Sequence, residues 1–271
     1  MKRRIKQIVL LALAVLAVVL IHKRVQKEAE EAEAERAAAA EQDEAVETDD
    51  AQSMPVIRLG DGVTLGRIEE NTERGGIRVI VTAENGAETV YTFTDVSVED
   101  WYANAVNFVV SAGLMTGVGD EPIFQPDYGM SRETFAAILY RFTHGTKVTP
   151  REQFDDVPAD SWYYDAVSWV TNRRLMTALD TGVFGVGEYM TCEQALVGLY
   201  RVAGEPETDG ALTDYPYASK VSDYGRDAID WAWKNGLITE VECVWYPPQA
   251  ISRAQVALLL MRYSEMSAQA S

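Results

Sequence analysis

The sequence has little cysteine, histidine or positive charge. Its 271 residues include 2 cysteines and 2 histidines, and 24 Lys and Arg against 42 Asp and Glu give a formal net charge of -18 at pH 7. Cys192 and Cys243 are too few for a disulfide framework and lack the spacing of a metal site. The acidic balance argues against nucleic acid or an anionic membrane surface as the main partner, because both require a basic face. An anionic ligand would need a local cluster of cations.

The scarcity of histidine also argues against catalysis. His22 flanks an apolar N-terminal run, and His144 precedes a glycine, so neither lies near a nucleophile motif. The acidic residues lack calcium-loop spacing, although glycosidase chemistry by two carboxylates is compatible with a chain this acidic. Such enzymes usually need a catalytic domain, for which the chain has little room. We therefore expect no enzyme, no cofactor and no metal site.

The N-terminal segment predicts export. Lys and Arg within residues 2–6 precede an apolar run over residues 8–21, which is the order of a signal sequence. At about 1.5 Å per residue the run is shorter than a hydrocarbon core of about 30 Å, but flanking cations can lengthen its span. No small-x-small cleavage site follows, so an uncleaved anchor over residues 1–27 is favoured over a cleaved signal peptide or a buried helix.

An acidic segment follows at residues 28–53. It is rich in Ala and Glu and then in Glu and Asp, with almost no large apolar side chains. This composition predicts a solvated linker, helical in its first half and disordered by self-repulsion in its second.

A short β segment is predicted at residues 54–92. The apolar and β-branched runs at 77–82 and 88–93 flank a turn containing Asn85-Gly86, which is a strong hairpin signal. Residues 56–59 and 63–65 are candidates for one or two further strands. Because a lone hairpin is marginal in water, we expect this segment to pack on a third strand or on the rest of the chain.

The remaining chain repeats one pattern three times. Each copy joins a helix, a loop and a second helix that begins after Ser131, Thr191 or Ser252. Gln194 and Gln255 stand three residues after two of these, which is capping-box spacing. Such self-similarity predicts three units that bury a common core. Their predicted boundaries are 93–149, 150–208 and 209–271.

These repeats resemble the surface-layer homology (SLH) domain. The resemblance lies in an Asp-Val pair followed by Trp101, an Ala-Val helix, the loop that begins Gly113-Leu114-Met115-Thr116-Gly117-Val118-Gly119-Asp120, then Phe124-Gln125-Pro126-Asp127 and Ser131-Arg132-Glu133. It implies a mainly α fold, with three helix-loop-helix repeats in a pseudo-threefold helical bundle. A small β-hairpin segment, an acidic stalk and an N-terminal hydrophobic helix would precede it. It also implies grooves that bind the secondary polymer of a Gram-positive cell wall, often through a pyruvylated sugar.

Two arginines are the leading candidates for ligand binding. Arg132 and Arg253 each follow a predicted N-cap residue, so their donor forks would lie beside free backbone amides at the positive end of a helix dipole. A sugar carboxylate or phosphate can dock there bidentately. Cys192 takes this position in the second repeat, and the loop over residues 239–250 of the third lacks the glycine-rich pattern. We therefore interpret the second and third repeats as degenerate and expect at most two working grooves.

Five further residues complete the candidate ligand site, and each has a structural alternative. They are Ser131, Gly117, Gly119, Trp101 and Trp162. The serine is otherwise a helix cap, the glycines turn the loop, and the tryptophans form core or groove wall rather than stacking on a sugar. The arginines themselves can be surface residues paired with Asp or Glu. Whether Cys192 and Cys243 form a disulfide depends on their geometry.

The sequence favours a non-catalytic protein of the cell surface or cell wall. Its partners would be the secondary cell wall polymer, linked to peptidoglycan, and the cytoplasmic membrane through the N-terminal helix, with no nucleic acid. In this interpretation it tethers the membrane to the wall. The alternative is a structural or protein-interaction scaffold of the envelope, whose degenerate repeats no longer bind glycan.

Overall fold

The computed structural model describes residues 54–58 and 63–269. Within them the chain forms three strands, β1 (Arg67–Glu70), β2 (Ile77–Thr82) and β3 (Glu88–Phe93), followed by six α-helices. The helices are α1 (Ala103–Ser111), α2 (Arg132–Phe142), α3 (Tyr164–Asn172), α4 (Cys192–Val202), α5 (Arg226–Lys234) and α6 (Arg253–Gln269). Short 3-10 turns occupy Ala218–Lys220 and Asp223–Gly225. The prediction of a mainly α fold with a small β segment is confirmed.

Two predicted segments lie outside the described residues. They are the anchor or signal peptide at 1–27 and the acidic linker at 28–53. Among the helices that the structure describes, none combines the length and the apolar character needed to cross a bilayer.

The predicted hairpin is confirmed. The strands β2 and β3 pair antiparallel from Ile77 opposite Phe93 to Thr82 opposite Glu88. The turn between them places Gly86 at φ +79°, a left-handed conformation that favours glycine. Ile77, Val79 and Phe93 are at most 2% exposed and join the common core. The hairpin therefore packs on the helical repeats.

The third strand differs from the prediction. It is β1, which pairs antiparallel with β2, whereas residues 56–58 and 64–65, within the described part, are not in a strand. The backbone amides of Met54 and Ile57 instead donate to the carbonyls of Val202 (3.1 Å) and Phe142 (2.9 Å), the last residues of α4 and α2. Met54 and Ile57 are partly buried and pack against the core at these helix ends. The strand β1 was not predicted because its sequence is mostly charged.

The helices pack in three pairs, each joining neighbouring repeats. The pairs are α2 with α3, α4 with α5, and α1 with α6. The first helix of the second and third repeats thus lies on the second helix of the repeat before it, and the first helix of repeat 1 lies on the last helix. Each helix turns an apolar face inward, because its buried residues recur at three- and four-residue spacing.

Glycines follow two of the helices, and both predicted capping boxes are confirmed. Gly113 and Gly236 follow their helices at φ +67° and +68°, as expected of glycine C-caps. Thr191 and Gln194 form a reciprocal capping box, and Ser252 and Gln255 exchange the same two hydrogen bonds. Ser131 is the N-cap residue of α2 as predicted, but it makes no side-chain cap hydrogen bond. Its hydroxyl instead bonds to the side chains of Glu133 (2.7 Å) and Thr134 (2.8 Å).

Three buried residues join the repeats in a closed ring of backbone hydrogen bonds. Met130, Met190 and Ile251 each precede the hydroxyl residue of their repeat. The amide of Met130 donates to Ile251 (2.8 Å), that of Ile251 to Met190 (2.9 Å), and that of Met190 to Met130 (2.8 Å). All three are at most 1% exposed. The starts of the three second helices therefore meet at one point.

Candidate functional site

Arg132 reaches from repeat 1 into the loop of repeat 2. It is the first residue of α2, and only 4% of it is exposed. Its Nε donates to the carbonyl of Phe184 (2.8 Å) and its Nη2 to that of Thr177. The guanidinium also lies 4.7 Å from the centre of the Phe184 ring. This arginine therefore fastens its own helix to the neighbouring loop.

Arg253 makes the same contacts from repeat 3 into the loop of repeat 1. Its Nε donates to Phe124 (2.7 Å) and its Nη2 to Thr116 (2.8 Å), and the guanidinium lies 4.8 Å from the Phe124 ring centre. Burial lowers the pKa of Arg253 to about 10 because desolvation disfavours the charged form. The two predicted arginines thus occupy equivalent sites in different repeats.

An aspartate holds the opposite side of each loop. The carboxylate of Asp95 accepts the amides of Phe124 (2.8 Å) and Gln125 (2.7 Å). The carboxylate of Asp156 accepts those of Phe184, Gly185 and Val186 at 2.9, 2.7 and 2.8 Å. Burial would raise the pKa of Asp156, but these three donors outweigh it and the pKa is lowered. Phe124 and Phe184 are therefore bonded to a carboxylate at their amides and to a guanidinium at their carbonyls.

The third junction between repeats, that of repeat 2 with the loop of repeat 3, has a neutral donor in place of the arginine. Cys192 takes the place of the arginine, and Tyr215, aligned with Val96 and Val157, donates its hydroxyl to the carbonyl of Trp245 at 2.5 Å. Burial and then Cys243 raise the pKa of Cys192 to about 12, so it stays a thiol. Both cysteines are free thiols in the described part of the chain. A neutral hydrogen bond thus replaces the arginine of the other two junctions.

A cavity of about 300 Å³ lies beside Arg132. Its lining comes from all three repeats and includes Arg132, Thr177, Leu179, Met190, Arg201 and Tyr224. Arg201 donates its Nη1 to the carbonyl of Arg174 (3.1 Å), and its Nε lies 3.7 Å from Glu205. Two guanidinium groups therefore border one cavity in a strongly acidic chain.

The other predicted site residues lie apart from this cavity. Ser131, Gly117, Gly119, Trp101 and Trp162 are not in its lining. Gly117 follows Thr116, an acceptor of Arg253, and Gly119 adopts φ +63°. The tryptophans are 37% and 64% exposed, each in edge contact with the tyrosine that follows it. This exposure contradicts the alternative that the two tryptophans belong to the core.

The predicted surroundings of the arginines need correction. Their backbone amides are not free, since that of Arg132 donates to Glu188 and that of Arg253 to Tyr128, both at 2.9 Å. The surface-pair alternative is also wrong, because both side chains are buried and their hydrogen bonds within the described residues go to neutral acceptors. The reason is that the neighbouring repeat covers each helix start.

Sequence reasoning missed Arg201 and Tyr224 as cavity residues. An arginine does recur at 141, 201 and 262, and that recurrence was the available signal. Tyr224 corresponds to Trp101 and Trp162. The alignment was obscured because repeat 3 has a longer insert, between Tyr215 and Tyr224. The described residues contain no group of three or more His, Cys, Asp or Glu side chains able to hold a metal ion.

Two of the repeats are similar to a known domain family. The S-layer homology domain family model matches residues 92–136 and 153–196. The chain is 29% identical over 139 residues to a surface-layer 125 kDa protein of Lysinibacillus sphaericus, covering 49% of this chain and 11% of that protein. It is 25% identical over 195 residues to cell surface glycoprotein 1 of Acetivibrio thermocellus, covering 65% and 8%.

An amylopullulanase of Thermoanaerobacterium thermosulfurigenes is 22% identical over 181 residues, covering 65% of this chain and 10% of that protein. The chain thus spans about a tenth of the length of the curated relatives it matches. The degeneracy assigned to the third repeat stays a prediction. The two matched segments fall on the first two repeats, which are therefore similar to S-layer homology domains.

Proposed function

We propose that the protein binds an anionic cell-wall glycan at the cell surface, in grooves between its repeats. The observation that carries this proposal is the buried guanidinium of Arg132 beside an open cavity. Cell-surface relatives with matching segments favour the same function. The proposal includes the secondary cell wall polymer as partner and a pyruvylated sugar as the recognised group.

The charge around Arg132 supports an anionic ligand. Among the described residues its guanidinium bonds to two carbonyls and the sulfur of Met190, and to no carboxylate. The nearby carboxylates of Asp156 and Glu133 attract the guanidinium, but their hydrogen bonds go to other groups. A buried cation is costly unless an anion compensates it. A carboxylate or phosphate in the cavity would provide that charge and would also face Arg201.

The size of the cavity supports recognition of a small acidic group. A volume of about 300 Å³ is at the lower end of small-molecule sites, roughly 300 to 1,000 Å³. Such a space suits one sugar unit with its substituent better than a long stretch of polymer. This is the form of ligand that a terminal pyruvylated sugar would present.

The repeats are inferred to form a closed pseudo-threefold bundle with three grooves. The ring through Met130, Met190 and Ile251 and the three helix pairs support this arrangement. If Tyr224 lines the Arg132 groove, the same rotation assigns Trp162 and Gly117 to the groove of Arg253. Trp101 then belongs to the neutral groove of Cys192. Two charged grooves would bind glycan, and the predicted membrane anchor would make the protein a tether between membrane and wall.

A specific observation favours the alternative of a non-binding scaffold. The Nε and Nη2 atoms of both arginines are occupied by loop carbonyls. These bonds alone could explain the arginines as fasteners between repeats. In that case the repeats would serve structure or protein interaction, without glycan.

Sedimentation with cell-wall sacculi tests the proposal. The full chain in detergent is incubated with sacculi before and after chemical removal of the secondary polymer. We expect binding that requires the polymer and that weakens about tenfold or more in Arg132→Ala, since charge-assisted bonds contribute about 1.5 to 3 kcal/mol. Arg132→Lys should keep part of the affinity, because it keeps the charge and loses the fork.

Lys147→Ala is the matched control, because it removes an exposed cation that pairs with Asp165, outside the cavity lining. Thermal unfolding shows whether each variant is folded. Sedimentation that is unchanged by polymer removal and by Arg132→Ala would contradict glycan binding and favour the scaffold.

A further inference from the structure

We propose that repeat 3 completes the Arg132 groove: Tyr224 packs against the sugar ring of the ligand, and Glu193 is the residue that positions Tyr224. This inference rests on the proposed function. It adds to the proposed recognition of an acidic group by Arg132 and Arg201 a contact between Tyr224 and the sugar ring, and the support of that contact by Glu193.

Tyr224 has the exposure and the position of a ligand contact. It lies in the 3-10 turn Asp223–Gly225 and lines the same cavity as the two arginines. It is 59% exposed, although its hydroxyl is held at 2.8 Å from Glu193 Oε1. An aromatic ring fixed at one end and open along its face suits contact with the C–H groups of a sugar.

Glu193 fastens the insert of repeat 3 to α4. It is only 5% exposed, and a buried carboxylate needs hydrogen-bond donors. Those donors are the hydroxyl of Tyr224 and the amide and hydroxyl of Ser222, at 2.8, 3.0 and 2.7 Å. Repeat 3 supplies all of these donors, so the carboxylate fixes the turn on which the tyrosine stands.

The backbone next to Tyr224 is adapted to this contact. A Cβ at Gly225 would come within 3.2 Å of Glu193 Oε2. The aligned positions in repeats 1 and 2 are Tyr102 and Tyr163, so a side chain is the rule there. In repeat 1, Glu133 bonds instead to Ser131 and to the amide of Gly187. The Glu193–Tyr224 contact is therefore particular to this groove.

The phenol of Tyr224 is uncharged near pH 7. Burial and then the hydrogen bond to Glu193 raise its pKa to about 12, from an ordinary value near 10 at which the phenol would already be neutral. An anion bound at Arg132 then meets an uncharged ring. Affinity should accordingly depend on both parts of the ligand, the acid and the ring.

Three small probes separate these two contributions. They are methyl mannopyranoside with a 4,6-linked pyruvate acetal, the same pyranoside without the acetal, and pyruvate alone, each titrated calorimetrically into the full chain. The acetal should bind most tightly. Tyr224→Ala should weaken binding of the acetal about tenfold at one of the two sites, the Arg132 groove, and leave the weak binding of pyruvate unchanged, because the ring contact is lost and the arginines remain.

The matched variants test the ring and its support separately. Tyr224→Trp introduces the residue type of the other two repeats. Its indole N–H can donate to Glu193 in place of the hydroxyl, so it should keep affinity within about threefold. Glu193→Gln should weaken binding of the acetal in the wild-type chain but have no further effect in the Tyr224→Ala background, because a positioning residue acts only through the ring. Trp101→Ala, outside the cavity lining, should leave binding of the acetal unchanged.

The outcomes distinguish this inference from the proposed function. Wild-type affinity at both sites of Tyr224→Ala, with thermal unfolding unchanged, would overturn the role of the tyrosine while polymer-dependent sedimentation still stood. Sedimentation with sacculi but no binding of the acetal would overturn the ligand class. Failure of the wild-type chain to bind sacculi would overturn the proposed function and this inference together. If Tyr224→Ala fails to fold, Tyr224→Trp and the single variant Glu193→Gln decide the question.

Discussion

Equivalent junctions of this protein are joined in two different ways. Arg132 and Arg253 cross to the loop of a neighbouring repeat and bond to the carbonyls of Phe184 and Phe124. At the third junction the carbonyl of Trp245 is instead bonded by the hydroxyl of Tyr215, a residue of the same repeat. The loop carbonyl has a donor in all three cases, but only two junctions carry a buried positive charge.

This difference separates the needs of folding from those of binding. A buried carbonyl requires a donor, and either a guanidinium or a phenol can provide it. Only the guanidinium has further donors and a charge to offer a ligand. The exchange of arginine for Cys192 and of valine for Tyr215 thus keeps the structural hydrogen bond and gives up the charge. Charge at this position is therefore a matter of function more than of fold.

The largest expected effect is the loss of a buried arginine. Arg253→Ala leaves the carbonyls of Phe124 and Thr116 without their donor, and we expect it to lower the free energy of unfolding by about 3 kcal/mol. Cys192→Ala at the equivalent position should cost only about 1 kcal/mol, because it removes one small buried group. Urea unfolding measures both. Equal costs would contradict the different roles of the two junctions.

Introducing an arginine at the third junction should be destabilising unless a second residue, Tyr215, is changed with it. Cys192→Arg places a guanidinium where Tyr215 already bonds Trp245, and overpacking should cost about 2 kcal/mol. Adding Tyr215→Val, the residue found at positions 96 and 157, should recover at least half of that loss. A double-mutant cycle by urea unfolding measures the coupling. Additive effects would show that the two positions do not compensate for each other.

Much of the fold could be predicted from the sequence because its signals are local and repeated. The Asn85-Gly86 turn marked the hairpin, and Thr191 with Gln194 marked the start of a helix. The strand β1 gave no such signal, because Ile68 is its single apolar residue and its pairing with β2 is decided by tertiary structure. The burial of Met54 and Ile57 against helix ends is equally non-local.

The candidate site was predictable only in part, since it is made where repeats meet. The sequence marked Arg132 and Arg253 through their place in the repeat. It could not show that their amides would be covered by Glu188 and Tyr128, because those contacts cross between repeats. Tyr224 was hidden for a related reason, since the insert before it shifted the alignment with the other repeats.

A smaller, pH-dependent effect should distinguish the aspartate of a charged junction. Asp156 has a lowered pKa when folded, so its stabilising contribution is complete above the unfolded value near 3.9 and disappears as the pH falls through the folded value. Asp156→Asn should remove that part of the acid sensitivity, measured by urea unfolding from pH 6 to pH 2. Asp155→Asn, at the exposed neighbouring carboxylate, is the control. An unchanged slope in Asp156→Asn would contradict this role.

The smallest effect concerns the helix starts at the central ring. Thr191 accepts the amide of Gln194, and losing an N-cap hydrogen bond costs about 1 kcal/mol, so Thr191→Ala should lower the free energy of unfolding by that amount. Ser131→Ala should cost clearly less, because the Ser131 hydroxyl bonds to side chains that water can satisfy instead. Urea unfolding of both variants measures the difference. The helix α2 begins with a buried arginine, whereas α4 begins with a capping box. A larger loss of stability in Ser131→Ala than in Thr191→Ala would contradict this expectation, because it would show that the start of α2 needs the serine despite the arginine.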